Sequence, residues 1–289
     1  MSYLQRVWNP LLKFCPKAAL PGLSNQLLWL HHRVEERRRQ MLARSHPEIT
    51  PSITLPGTTP LTRSILEVNG PWENETLTPS NIPGMLTESD KKYYMYITRY
   101  LRGFGEVVEV GPWLGCSTFH ILTGLRRNTN FSGKRLHVYD DFVWRSDWMN
   151  KWLSGTSIQP PPHLTSFREL FERNLDSYKD LISVFTRKLS DSEGNEHLPA
   201  IEWNGGDIEL CFIDCGRTME QNIAWYRVLE SAFISGKTLI VMQDWQMHKA
   251  VPVAWWENIK LFTDRFSESL DLIHEVRGSG IGTFIYRGT

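Results

Sequence analysis

The chain has 289 residues, a length that fits one large α/β domain or one domain with an extension. Its 32 Lys and Arg balance 32 Asp and Glu, and this neutrality argues against a generally basic nucleic-acid binder. A hydrophobic share of 41% against 22% charged residues reads as globular, and no apolar run approaches the roughly 18–20 residues that span a bilayer. Twelve tryptophans point to a broad aromatic surface or an aromatic-lined pocket.

The first residues carry Arg6, Pro10 and Lys13 where a secretory signal needs an unbroken apolar core. Ser24 to Arg44 predicts a helix, with Leu27, Leu28, Leu30, Val34 and Met41 on or near one face. That helix offers a homodimer element. Its RVEERRRQ run reads as a solvated face, with a partner or an anionic membrane surface as the alternative. From Pro47 to Gly84, Pro, Thr, Ser and Gly dominate, which predicts an extended connection or lid. Residues 1–85 are therefore read as an extension and 86–289 as the main domain. Cys15, Cys116, Cys211 and Cys215 are scattered and complete no zinc set, so they read as free thiols in a cytoplasmic protein.

From Thr87 the pattern changes. Thr87 to Asp90 is a capping-box-like start for a helix through Tyr100. Strands are predicted at Glu106–Val110, Arg135–Tyr139, Leu181–Phe185, Ile208–Ile213, Lys237–Met242, Leu270–Glu275 and Gly282–Arg287. Helices are predicted at Ser117–Arg127, Ser166–Tyr178, Met219–Ser235 and Val251–Phe266. The alternation predicts a mostly parallel sheet covered on both faces, with the last two strands forming an antiparallel hairpin at one edge.

The segment EVVEVGPWLGCST ends a buried strand at Glu109 and Gly111 and starts a helix near Gly115 and Ser117. Glycines there permit close backbone approach, and the helix start offers unpaired N–H groups. The Gly-x-x-x-Gly spacing, with Pro112 and Trp113 adding bulk, argues against a pyrophosphate cradle. Next, KRLHVYDDF places Asp140 and Asp141 at the second strand end. An acid there is placed to accept both ribose hydroxyls of a nucleoside. Asp140 is assigned that role; Asp141 either joins it or caps the next turn. A nucleoside cofactor without a diphosphate follows, and S-adenosylmethionine fits.

Asp214 and Asp244 end the fourth and fifth strands, on the same rim. Two converging carboxylates can hold a divalent cation, or one can act as general base; capping of helices is the alternative. His248 follows Asp244 closely enough to serve as a base, against the reading of an exposed loop histidine. Trp144, Trp148 and Trp152 recur every four residues and predict one helical stripe, either packed or forming a platform for a sugar or aromatic acceptor. Trp245, Trp255 and Trp256 pose the same choice beside the fifth strand. His120 reads as structural.

In order and spacing, VEVGPWLGCST, HVYDDF, FIDCGRTME and ISGKTLIVMQDW resemble class I S-adenosylmethionine-dependent methyltransferases, most of all the macrocin O-methyltransferase-like group. The resemblance covers about Leu86 to Gly288. It implies a Rossmann-like three-layer sandwich whose seven-stranded, mostly parallel sheet has a reversed last strand. It also implies cofactor contacts from Glu109, Gly111, Trp113, Gly115, Ser117 and Asp140, with Asp191 near adenine. In relatives, a second acid follows the first by two residues after the fourth strand, and the fifth strand ends in a paired Asp-Asp. Here those positions are Gly216 and Gln243, so the implied magnesium site is reduced to Asp214 and Asp244.

The reading is a methyltransferase that methylates an oxygen of a small acceptor such as a sugar or natural product. Asp214, Asp244 or His248 would deprotonate or orient the acceptor. Two alternatives stand beside it: a catalytically reduced binding or assembly protein, and a different reaction, such as hydroxylation, on the same scaffold.

Overall fold

The computed structural model describes residues 70–251 and 253–288. The helix expected over Ser24–Arg44, and with it the homodimer element, lies outside the described residues, as does most of the connection expected from Pro47. Residues 70–84 are docked on the main domain. A 3-10 turn over Pro71–Asn74 buries Trp72, which meets Tyr93 edge-on at 5.1 Å and His274 at 4.9 Å.

The elements follow in the order α1 (Glu88–Arg99), β1 (Glu106–Val110), α2 (Cys116–Arg126), β2 (Leu136–Asp140), α3 (Ser146–Met149), α4 (Arg168–Asn174) and β3 (Ile182–Thr186). They continue with β4 (Ile208–Ile213), α5 (Met219–Leu229), β5 (Leu239–Met242), α6 (Met247–Ala250), α7 (Ala254–Arg265), β6 (Leu270–Glu275) and β7 (Gly282–Tyr286). The predicted box at Thr87 is present: Thr87 Oγ1 accepts the Asp90 N–H at 3.2 Å, and Asp90 Oδ2 accepts the Thr87 N–H at 2.8 Å. Three expected helices are shorter than their patterns. The one expected to Tyr178 stops at Asn174, and the one expected to Ser235 stops at Leu229. Each ends near a 3-10 turn, over Asp176–Tyr178 and Glu230–Ala232 respectively. The third starts at Ala254 rather than Val251, because Val253 is extended.

The seven strands form one sheet in the order β3-β2-β1-β4-β5-β7-β6. Strands β1 to β5 run parallel, and β7 runs antiparallel to both β5 and β6. The expected hairpin is there, with the reversed strand inserted between β5 and β6 so that β6 takes the edge. Alternate residues of each strand supply two cores. Val107, Leu136, Phe212 and Val241 pack with α1 and α2, through Tyr93, Ile97, Ile121 and Leu122. Val108, Cys211, Ile240 and Phe284 pack with α5 and α7, through Trp225, Tyr226, Ile259 and Phe262. This is a Rossmann-like three-layer α/β sandwich. No described helix is long and apolar enough to cross a membrane.

Parallel pairing aligns the carboxyl ends of the central strands, and the ladder continues past them. The Gly111 N–H donates to Tyr139 O at 2.9 Å, Asp214 N–H to Val110 O at 2.9 Å, and Gln243 N–H to Ile213 O at 3.0 Å. These bonds set the turns after β1, β4 and β5 side by side on one rim.

Candidate functional site

Three residues of the β1–α2 loop adopt left-handed backbone conformations: Gly111 (φ 89°), Trp113 (φ 45°) and Gly115 (φ 92°). Gly111 has a steric reason, since a Cβ there would lie 2.7 Å from Asp214 O. Gly115 caps α2, where no side chain accepts the first N–H groups. Trp113 is buried, 6.4 Å from the Trp144 ring in a stacked arrangement and 6.1 Å from Trp148.

Beneath this loop Glu109 is buried. Its two oxygens accept the hydroxyls of Ser117 at 2.5 Å and Thr118 at 2.7 Å. Burial pushes its carboxyl up to about 7 against the pull of those two bonds. The pair ties the end of β1 to the first turn of α2.

Asp140 lies at the end of β2. Its Oδ1 accepts the Phe142 N–H at 2.6 Å, and its carboxylate also takes the Trp113 N–H, which links the two loops. Burial, reinforced by the neighbouring Asp141 charge, raises its carboxyl to about 8. Asp141 is held in another network. It pairs with Arg145 at 2.7 Å and accepts Asn195 Nδ2 at 2.8 Å and the Val143 N–H at 3.1 Å. Asp191 is exposed and paired with Lys188 at 2.7 Å.

Asp214 and Asp244 meet at a third residue. Arg217 Nη2 is 2.6 Å from Asp244 Oδ2 and 3.7 Å from Asp214 Oδ1. Burial and then the Asp244 charge raise the Asp214 carboxyl well above the usual carboxylate range, and Arg217 partly offsets this. Tyr94 of α1 stands over the same rim and donates its hydroxyl to Gln243 Oε1. Burial, followed by Asp214, Asp90, Glu109 and Asp244, raises its phenol far above the usual value. That position in α1 carries no motif, and only its tyrosine spacing on a buried face signals it.

His248, on α6, has its Nδ1 against the Trp245 carbonyl and its ring edge-on to Trp245 at 4.8 Å. Burial lowers its pKa, and the charges acting on it are Lys249, Lys260 and Glu275 rather than the two aspartates. His120 is buried in α2, lowered to about 4 by burial and then by Lys91.

The tryptophan stripe takes another form. Trp144 precedes α3 because its backbone pairs across the fold, accepting the Leu164 N–H and donating to Thr165 O, both at 2.8 Å. Trp148 lies in α3 and Trp152 in the 3-10 turn that follows. Trp245 is buried, Trp255 is exposed, and Trp256 carries Arg217 on its ring at 4.5 Å.

The donor set disagrees with the implied magnesium. A guanidinium already pairs with both acids, and among the described residues no three His, Cys, Asp or Glu side chains gather as metal ligands. For S-adenosylmethionine the groups do fit: a carboxylate at the β2 end for a diol, and an uncapped helix start for a carboxylate.

No protein-family model matches the chain, and no curated protein matches it. Among solved structures it is similar to the O-methyltransferase TomG from Streptomyces achromogenes in complex with SAM. That match has 13% identity and a TM-score of 0.44, and covers 71% of this chain and 82% of that one. It is also similar to cofactor-bound Rv0187 from MTB, with 16% identity, 84% and 100% of the chains covered, and a TM-score of 0.48. A third is an O-methyltransferase from Bacillus cereus in complex with SAH, with 14% identity, 80% and 93% covered, and a TM-score of 0.45. Likeness at these values assigns no activity to the chain.

Proposed function

We propose that the chain is a class I methyltransferase that binds S-adenosylmethionine at this rim and methylates an oxygen of a small acceptor. The observation that carries the reading is the sheet order with its inserted reversed strand, combined with acids at the carboxyl ends of β1, β2, β4 and β5. When bound, the cofactor supplies an electrophilic methyl group on a positively charged sulfur. Asp140 accepts the ribose hydroxyls. The uncapped start of α2, held in place by Glu109 through Ser117 and Thr118, receives the carboxylate end.

Asp214 keeps 28% of its side chain exposed beside Arg217, so an acceptor can reach it. Its raised pKa makes it a stronger base than an ordinary carboxylate for the acceptor hydroxyl proton. With the methyl donor held at this rim, Asp214 would take the proton that the acceptor hydroxyl gives up on methylation. Asp244, oriented by Arg217, fixes the geometry rather than taking the proton. Free thiols at Cys116, Cys211 and Cys215 fit a reducing cytoplasm.

The test is calorimetric titration with S-adenosylhomocysteine, followed by transfer of labelled methyl to a panel of hydroxylated sugars and phenols. Folded protein that binds neither S-adenosylmethionine nor its product sinks the reading. A second reading, a binding protein without turnover, draws on Trp113, which fills part of the cofactor loop as a buried side chain. Binding without transfer to any acceptor in the panel favours it.

A further inference from the structure

The carboxylates after β4 and β5 already have a cation. Arg217 reaches both, at 2.6 Å and 3.7 Å, and its guanidinium rests on the Trp256 ring. Its backbone is held too: the N–H donates to Gln221 Oε1 at 3.0 Å, and the carbonyl accepts Asn258 Nδ2 at 3.2 Å. To enter between the acids, a metal would have to break the ion pair and the stack together.

The surrounding positions are also closed to further oxygen ligands. A Cβ at Gly216 would fall 1.9 Å from Asn222 Oδ1. Asn222 is fully buried, donates to Gly216 O at 2.9 Å and accepts Trp225 Nε1 at 3.2 Å. Gln243 Oε1 is taken by the Tyr94 hydroxyl.

We propose that Arg217 is the resident cation of this site, a positioning residue that stands where a divalent metal would bridge Asp214 and Asp244, and that removing its guanidinium opens the pair to such a metal. A guanidinium is permanently charged and donates in a fixed plane, so it orients Asp244 without a loading step. Its Nη1 is buried and has no hydrogen-bond partner among the described residues. The inference rests on the rim itself and does not require the cofactor assignment.

The experiment titrates MnCl2, followed by electron paramagnetic resonance, into the full chain as wild type, Asp244→Asn, Arg217→Ala, Arg217→Gln and Arg217→Ala/Asp244→Asn. Wild type is expected to bind no Mn2+ in a manner that depends on Asp244. Arg217→Ala is expected to gain a saturable site at least about tenfold tighter than any in wild type, lost again in the double variant. Wild-type binding that Asp244→Asn abolishes overturns the proposal, as does an Arg217→Ala protein that folds by circular dichroism yet gains nothing. Should the alanine variant not fold, the glutamine variant, which fills more of the space, is read by the same criteria. Parallel titration with S-adenosylhomocysteine separates the two questions: its failure in wild type removes the cofactor reading and leaves the Mn2+ outcome intact.

Discussion

The Ser117 hydroxyl donates to Glu109 Oε1 at 2.5 Å, joining the end of β1 to the first turn of α2 across the loop that would receive the cofactor. Each glutamate oxygen accepts one such bond, the second from Thr118. On the proposed reading Glu109 and Ser117 shape the loop, and Asp140 and Asp214 are the acids that meet the ligands.

Glu109 makes stability depend on pH. Its carboxyl stands at about 7 in the fold against an ordinary 4.5, so the folded chain keeps a proton that the unfolded chain gives up between those values. The unfolded state binds fewer protons there, so stability is fully present below that window and falls as pH rises through it. The loss amounts to about 3 kcal/mol by pH 8. Asp140, raised to about 8, and Asp214 act in the same direction. Thermal melts at pH 5 and pH 8 should show the wild type less stable at pH 8. Glu109→Gln, which keeps the shape and removes the titration, should recover about 2 kcal/mol at pH 8 and little at pH 5. Equal pH slopes in the two proteins would contradict this account.

Asn222 makes Gly216 obligatory. A methyl group at 216 meets the Asn222 amide oxygen at 1.9 Å, and that amide is pinned between Gly216 O and the Trp225 indole. Gly216→Ala should cost about 2–3 kcal/mol in urea denaturation. Asn222→Ala alone leaves the Trp225 N–H unpaired and should cost about 1–3 kcal/mol. Together they should cost less than the sum by at least about 1 kcal/mol, because the clash needs both. Simple additivity would show that the clash relaxes by another route.

How far the sequence carried the site follows from which contacts are local. Strands β1, β4 and β6 have the bounds predicted for them; beyond the half-buried Glu106, β1 and β4 are buried on both faces, each with one buried glutamate among apolar residues. Asp140, Asp214 and Asp244 lie on one rim because parallel pairing alone puts them there. Arg217 lies in the FIDCGRTME segment without a role that the sequence assigns to it. Where its long side chain ends depends on Trp256 and Asp244, residues brought near by α7 and β5. Tyr94 acts from α1 on Gln243, 149 residues away, which no local motif encodes. The tryptophan stripe failed for the same reason: Leu164 and Thr165 draw the Trp144 backbone into a bridge that helical spacing cannot foresee.

Asp140 should set cofactor affinity and its pH dependence. Two ribose hydroxyls donate best to an ionised carboxylate, whereas the free protein holds this group protonated up to about pH 8. Binding must therefore release a proton at pH 6–7, and the Kd for S-adenosylhomocysteine should fall as pH rises toward 8. Asp140→Asn should bind about tenfold or more weaker at pH 8 and lose that pH slope. Calorimetry in two buffers of different ionisation heat measures both the affinity and the proton released. A variant that binds as wild type does would remove Asp140 from the cofactor site.

Asp214 is the stronger base of the acidic pair on two grounds. Burial and the Asp244 charge lift its carboxyl well above the usual range, and its side chain stays reachable, while Asp244 is engaged at 2.6 Å by Arg217. Asp214→Asn should lower kcat by about 10²–10⁴-fold with an acceptor identified from the panel. The Kd for S-adenosylhomocysteine should stay within about twofold, because the lost interaction belongs to the transition state rather than to cofactor binding. The wild-type rate should climb with pH as Asp214 ionises, and the residual rate of the variant should lose that limb. The same substitution removes a carboxyl whose ionisation burial opposes, so its melting temperature at pH 8 should be at or above that of the wild type. A stable variant with lost turnover and intact cofactor binding is the combination that general-base chemistry requires. Retained turnover in a stable variant would move the proton to another acceptor, with Asp244 next in line by geometry.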